Sequence, residues 1–180
     1  MSATHLALLL RAVNLSGRNR VPMAELRRLL DARTALTGVS TYIASGNIIC
    51  DAPDDVDLAR ADVRALIADE FGVDTPVIAR THGELVAALD ENPFPAAPVD
   101  KLLHVMFLEA PAAPGAVEAL EQRLVPGERI ALVGDDLWID YSEGGVHSTK
   151  LTKTVLDRAL GVAGTARNVR TVRTLADLTA

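Results

Sequence analysis

Apolar residues recur along the chain with two alternating periods. Residues 5–10 form a short apolar run of strand length, and 11–21 is polar and contains Gly17, which predicts a long loop. Pro22 suits a first helical position, and Met23, Leu26, Leu29 and Leu30 then follow at helical spacing. Strands are expected at 39–43 and 47–50 around the turn Ser45-Gly46-Asn47. A helix is expected over 57–70, closed by Gly72, and a strand over 75–79, where Pro76 suggests an edge or a strand start. This order, βαββαβ, is the ferredoxin-like one.

After a helix at 83–91 comes the connection Asn92-Pro93-Phe94-Pro95, with Pro98 beyond it, and the pattern restarts. A strand is expected at 102–108, a helix at 114–124, and strands at 129–133 and 137–141 around Gly134-Asp135-Asp136. Leu151, Val155, Ala159 and Leu160 mark a helix closed by Gly161, with Ser148 or Thr149 as its expected cap. Val169, Val172, Leu175, Ala176 and Leu178 keep helical spacing to the end. The reading is therefore α+β, with two related ferredoxin-like (βαββα-type) subdomains packed together and a C-terminal helix replacing the last strand. The expected boundaries are 1–91 for the N-terminal subdomain and its linking helix, 92–100 for the Pro-rich connection, and 101–180 for the C-terminal subdomain.

Composition narrows the function classes. With 180 residues and 49% apolar content the chain can bury a core without a staple. A single cysteine excludes an intrachain disulfide, and His5, His82, His104 and His147 show no metal-ligand spacing, so no metal is expected. The apolar run at 6–10 is too short for a signal peptide or a membrane span, so a cytoplasmic protein without membrane contact is expected. Aromatics are only 3% and the net charge is −6, which makes nucleic acid an unfavourable partner. No phosphate loop, dinucleotide fingerprint or hydrolase elbow occurs, so no cofactor is assigned.

The charge is uneven. Residues 11–33 carry six arginines against Glu25 and Asp31, whereas 51–74 carry eight acids against Arg60 and Arg64. Residues 147–175 carry six cations against Asp157. Two polar segments stand out within the basic stretches. Arg11, Asn14, Arg18 and Asn19 lie between a strand and a helix start, where forked donors and amides suit phosphate or carboxylate. The alternative is that the asparagines only satisfy turn geometry and the arginines reach solvent. Thr165-Ala166-Arg167-Asn168 enters the last helix, with Thr165 as its cap and Arg167 in a first turn where the dipole disfavours a cation. Lys150 is placed similarly. Ser45 and Asn47 are read mainly as turn residues that could line a site, and Cys50 as a small core residue.

These segments resemble the bacterial family called domain of unknown function 1697. The family's opening, L-L-R-G-I-N-V-G-G-K-N, is similar to Leu9-Leu10-Arg11-Ala12-Val13-Asn14-Leu15-Ser16-Gly17-Arg18-Asn19. Its T-Y-I-x-S-G-N resembles Thr41 to Asn47, and its N-P-F resembles Asn92-Pro93-Phe94. Its [ST]-K-L and T-x-R-N-W resemble Thr149-Lys150-Leu151 and Thr165 to Val169. Ala12 and Ser16 stand where the family has glycine, and Val169 where it has tryptophan. The resemblance implies a fold of two related subdomains and no known reaction. The functional expectation is a small anionic or phosphorylated ligand bound between the halves by Arg11, Asn14, Arg18, Asn19, Lys150, Arg167 and Asn168, with Ser45 and Asn47 on the wall. The alternatives are an enzyme acting on such a ligand, and a structural or protein-interaction module without a small-molecule site. The oligomeric state is left open.

Overall fold

The structure is a computed structural model that describes residues 4–141 and 143–180. Its first elements are β1 (His5–Leu10), α1 (Met23–Arg33), β2 (Ser40–Tyr42), β3 (Asn47–Asp51), α2 (Val56–Phe71), β4 (Val77–Thr81) and α3 (His82–Asp90). The order then repeats as β5 (Leu103–Leu108), α4 (Ala116–Glu121), β6 (Arg129–Val133), β7 (Asp136–Asp140), α5 (Lys153–Leu160), β8 (Gly164–Asn168) and α6 (Val169–Leu178). Each half builds a four-stranded antiparallel sheet, ordered β2-β3-β1-β4 and β6-β7-β5-β8. The two sheets use the same positional order, which is consistent with two ferredoxin-like subdomains.

One detail of the expected fold is corrected. The last strand is not replaced by a helix: β8 pairs with β5, placing Thr165 opposite Phe107 and Arg167 opposite Val105. Helix α6 follows the strand instead of standing in for it. Its cap is Asn168, whose Oδ1 accepts from the Thr171 amide at 2.9 Å, not Thr165. Helix α5 is likewise capped by Thr152 rather than by Ser148 or Thr149.

Alternation along the strands explains the cores. In the first sheet Leu6, Leu8 and Leu10 of β1 share a face with Ile48 and Cys50 of β3, against Leu26 and Leu30 of α1 and Val63 and Ile67 of α2. Burial pushes the Cys50 thiol up to about 11, so it stays an inert core group. In the second sheet Met106, Leu108, Leu137 and Ile139 meet Leu120 of α4 and Leu156 and Leu160 of α5. Each fully buried leucine contributes about 1.5–3 kcal/mol of burial energy.

The chain up to Val86, with Thr174–Ala180, forms one compact unit, and Ala87–Arg173 forms the other. The C-terminal residues, expected with the second half, are thus grouped with the first. His82 Nδ1 lies 3.0 Å from the Ala176 carbonyl, and the Thr179 hydroxyl donates to the Leu175 carbonyl at 2.8 Å. Helix α3, which carries His82, opens on a reciprocal cap. The Glu84 amide donates to Thr81 Oγ1, and the Thr81 amide donates to Glu84 Oε2.

Candidate functional site

The loop between β1 and α1 is the least regular part of the first unit, and side chains hold it in shape. Ala12, Asn14, Ser16 and Asn19 all take positive φ, at 53°, 55°, 47° and 50°, with Gly17 at 77°. Asparagine tolerates this region, but each non-glycine residue there costs about 1–2 kcal/mol. The Asn14 amide donates to the Asn19 carbonyl at 2.9 Å and the Arg18 amide to the Leu15 carbonyl at 2.8 Å, so the loop closes on itself.

Asn14 sits at its centre. Its Oδ1 accepts from the Val21 amide at 2.8 Å, and its Nδ2 donates to the carbonyls of Val21 and Ala44 at 2.9 and 2.8 Å. The side chain thus satisfies both backbone groups of a fully buried residue, as a neighbouring strand would. Asn19 Nδ2 donates to the Ala12 carbonyl at 2.9 Å. Thr75 does the same service for Arg11, accepting from its amide at 2.9 Å and donating to its carbonyl at 2.8 Å.

The Ala44 contact brings this loop to the turn between β2 and β3. Gly46 has φ 87°, and its carbonyl accepts from the Leu10 amide at 2.8 Å. A Cβ there would lie 2.8 Å from both Leu10 Cβ and Val13 Cγ2, so the turn requires glycine for space as well as for backbone angle. Asn47, expected on the wall of a site, is buried at the start of β3, and its Nδ2 donates to the Tyr42 carbonyl and to Ser45 Oγ.

An open cleft of about 590 Å³ lies where the loop, the turn and the start of α1 meet. Asn14, Arg20, Met23, Arg27, Thr41 and Ile43 are among its lining residues. Sequence reasoning missed Arg27. It sits inside a helix at an ordinary surface position, and only the fold brings it to Thr41, whose hydroxyl accepts from its Nη1. Arg20 lies in the polar segment 11–21, where nothing local distinguishes it from Arg11 and Arg18. Among the described residues, Arg18, Arg20 and Arg27 have no carboxylate within ion-pair distance, whereas Arg28 pairs with Glu25 and Arg33 with Glu70. Helix α1 begins after Pro22 with no side-chain cap, which leaves its first amides open.

The other expected residues lie in the second unit. Arg167 is not in a first helical turn but on β8, 6% exposed, where Nη1 donates to Thr165 Oγ1 at 2.8 Å and to the Ala166 carbonyl at 2.9 Å. Burial lowers it to about 10, so it remains charged at neutral pH. Asn168 is occupied as the α6 cap. Lys150 is exposed on the segment before α5. An ion pair of this sheet joins Arg129 to the buried Asp140 at 2.5 Å, with the Arg129 guanidinium 4.5 Å above the Phe94 ring.

Comparison with known proteins adds the family and the fold. No curated protein matches the chain. A solved structure described as a conserved bacterial protein from Streptococcus pneumoniae is similar at 23% identity, with a TM-score of 0.76, covering 99% of this chain and 100% of that one. At that identity the likeness concerns the fold. No helix among the described residues is long and apolar enough to cross a membrane. The family described as "Protein of unknown function (DUF1697)" matches residues 3–138, a span that holds the β1–α1 loop, the Gly46 turn and Asn92-Pro93-Phe94. The chain belongs to that family.

Proposed function

We propose that the chain binds a small anionic ligand, carrying phosphate or carboxylate, in the cleft at the start of α1. The observation that carries this reading is the pair Arg20 and Arg27. Both line one cleft of an acidic chain and neither has a carboxylate partner among the described residues. Guanidinium groups left unpaired beside open helix amides suit an oxyanion. In this reading Asn14 and Asn19 build the loop and contact no ligand, while Arg11 and Arg18 supply a surrounding positive field. Arg167 and Asn168 serve their own strand and helix. No aspartate, glutamate or histidine is among the cleft-lining residues, which favours binding over proton-transfer catalysis.

The test is a thermal-shift and calorimetric screen at low salt with phosphate, pyrophosphate, sugar phosphates and small carboxylates. It compares wild type with Arg20→Ala/Arg27→Gln. A ligand at 100 times its Kd stabilises by about 2.7 kcal/mol, or about 5–10 °C for a chain of this size. The shift should vanish in the double variant. Absence of any shift in wild type, or an unchanged shift in the variant, overturns the proposal.

A further inference from the structure

The same cleft has a second, apolar side. Met23 and Ile43 line it together with the two arginines, and Ile43 is 48% exposed. Leu15, next to Asn14, whose side chain bonds the Ala44 carbonyl, is 58% exposed. Two large apolar side chains therefore stand in solvent on the two segments that this bond joins. Ile43 is the more telling of them. It takes φ 48°, a region in which a β-branched residue is an outlier, and it recovers little of that cost by burial. Glycine or asparagine would be the unstrained choice at an exposed turn position with this backbone. An isoleucine there offers an apolar surface to whatever enters the cleft.

We infer that the ligand is an amphiphilic anion. Its phosphate or carboxylate head is held by Arg20 and Arg27, and a short apolar body lies on Ile43 and Met23. This rests on the anion reading of the cleft and adds the class of ligand. A purely polar anion would leave the apolar side wet, and a neutral apolar molecule would leave the two guanidiniums without a counter-charge. The body is short because the cleft, about 590 Å³ and open to solvent, has room for only a small molecule.

The test is a homologous series on the full chain at low salt: inorganic, methyl, butyl and hexyl phosphate, and acetate, butyrate and hexanoate, by calorimetry, with anionic lipid vesicles as a separate arm. The variants are Ile43→Gly, which fits the left-handed backbone, and Arg27→Gln. In wild type, affinity should climb with chain length, by as much as about fourfold per methylene where burial is complete. The hexyl-to-inorganic affinity ratio should collapse toward one in Ile43→Gly, and Arg27→Gln should weaken every member. If inorganic phosphate binds but the series is flat, the amphiphile inference fails and the anion reading stands. If no phosphate and no carboxylate binds, both fail. A climb that survives in Ile43→Gly places the chain elsewhere and overturns the inference. Binding to vesicles with none to soluble alkyl phosphates also overturns it.

Discussion

The two units share one element order and one strand order, yet they pass from first strand to first helix in different ways. In the first unit, Arg11 to Pro22 winds through four non-glycine residues of positive φ and is held by asparagine side chains. In the second, Glu109 to Gly115 makes the passage in a shorter segment with Pro111 and Pro114, and among the described residues no non-glycine residue of that unit has positive φ. Among the described residues the second unit has no such loop, and its buried polar groups include Asp140, Thr165 and Arg167 on strands and Glu128 and Thr171 outside them. A repeated fold thus carries two unlike polar designs. Shared topology says little about function; the loop that departs from local preference says more.

The matching hairpin turns offer the sharpest way to break this comparison. Gly46→Ala would force a Cβ against Leu10 and Val13 at a φ of 87°, and should cost about 3 kcal/mol in urea unfolding. Gly134→Ala in the second unit has positive φ but open space, and should cost about 1 kcal/mol. Equal losses would mean that the first turn is no more tightly built than the second.

Next in size is the contrast between two asparagines. Asn14→Ala strands the buried amide and carbonyl of Val21 and should cost about 3 kcal/mol, with faster hydrogen exchange at the Val21 amide. Asn168→Ala removes one helix cap and should cost about 1 kcal/mol. If Asn14→Ala were as mild as Asn168→Ala, the loop would not depend on its central side chain.

The smallest effect concerns the opening of the first strand in each unit. His5 lies 3.7 Å from Asp51, whereas His104 is largely buried, edge-on to the Tyr141 ring at 5.0 Å. Burial holds His104 below the ordinary histidine value in the folded chain, with a backbone contact at Leu102 opposing it. As pH falls through about 6.5, the unfolded chain takes up this proton first, so stability drops until the folded histidine also titrates. His104→Phe keeps a ring against Tyr141 and should flatten that part of the profile between pH 7.5 and 5. An unchanged slope in the variant would assign the acid sensitivity to another group.

The order βαββαβ was legible because its apolar runs alternate between two periods, and the turns because glycine marks them at positions 46, 72, 134 and 161. Strand β8 escaped notice because its buried face carries Thr165 and Arg167, so its alternation is hidden by a polar pair that bonds within the strand. It is also why the sequence alone puts Arg167 in a first helical turn. Of the candidate site, the loop was legible through its density of arginine and asparagine, but the division of labour within it was not. Asn14 shows its function only when Val21 and Ala44 are brought to it, and Arg27 only when Thr41 is. Long-range partners of this kind leave no local signature.

Ala12 and Ser16 stand at positive φ where the family resemblance has glycine. Glycines would reach the same left-handed backbone without strain but would leave the segment many other conformations to explore. Alanine and serine narrow that set too, but toward angles other than the native ones, so the loop keeps its shape against local preference. What holds it there is the bonding of Asn14 and Asn19, and a change that loosened either side chain would let the backbone at Ala12 and Ser16 relax away from the folded form.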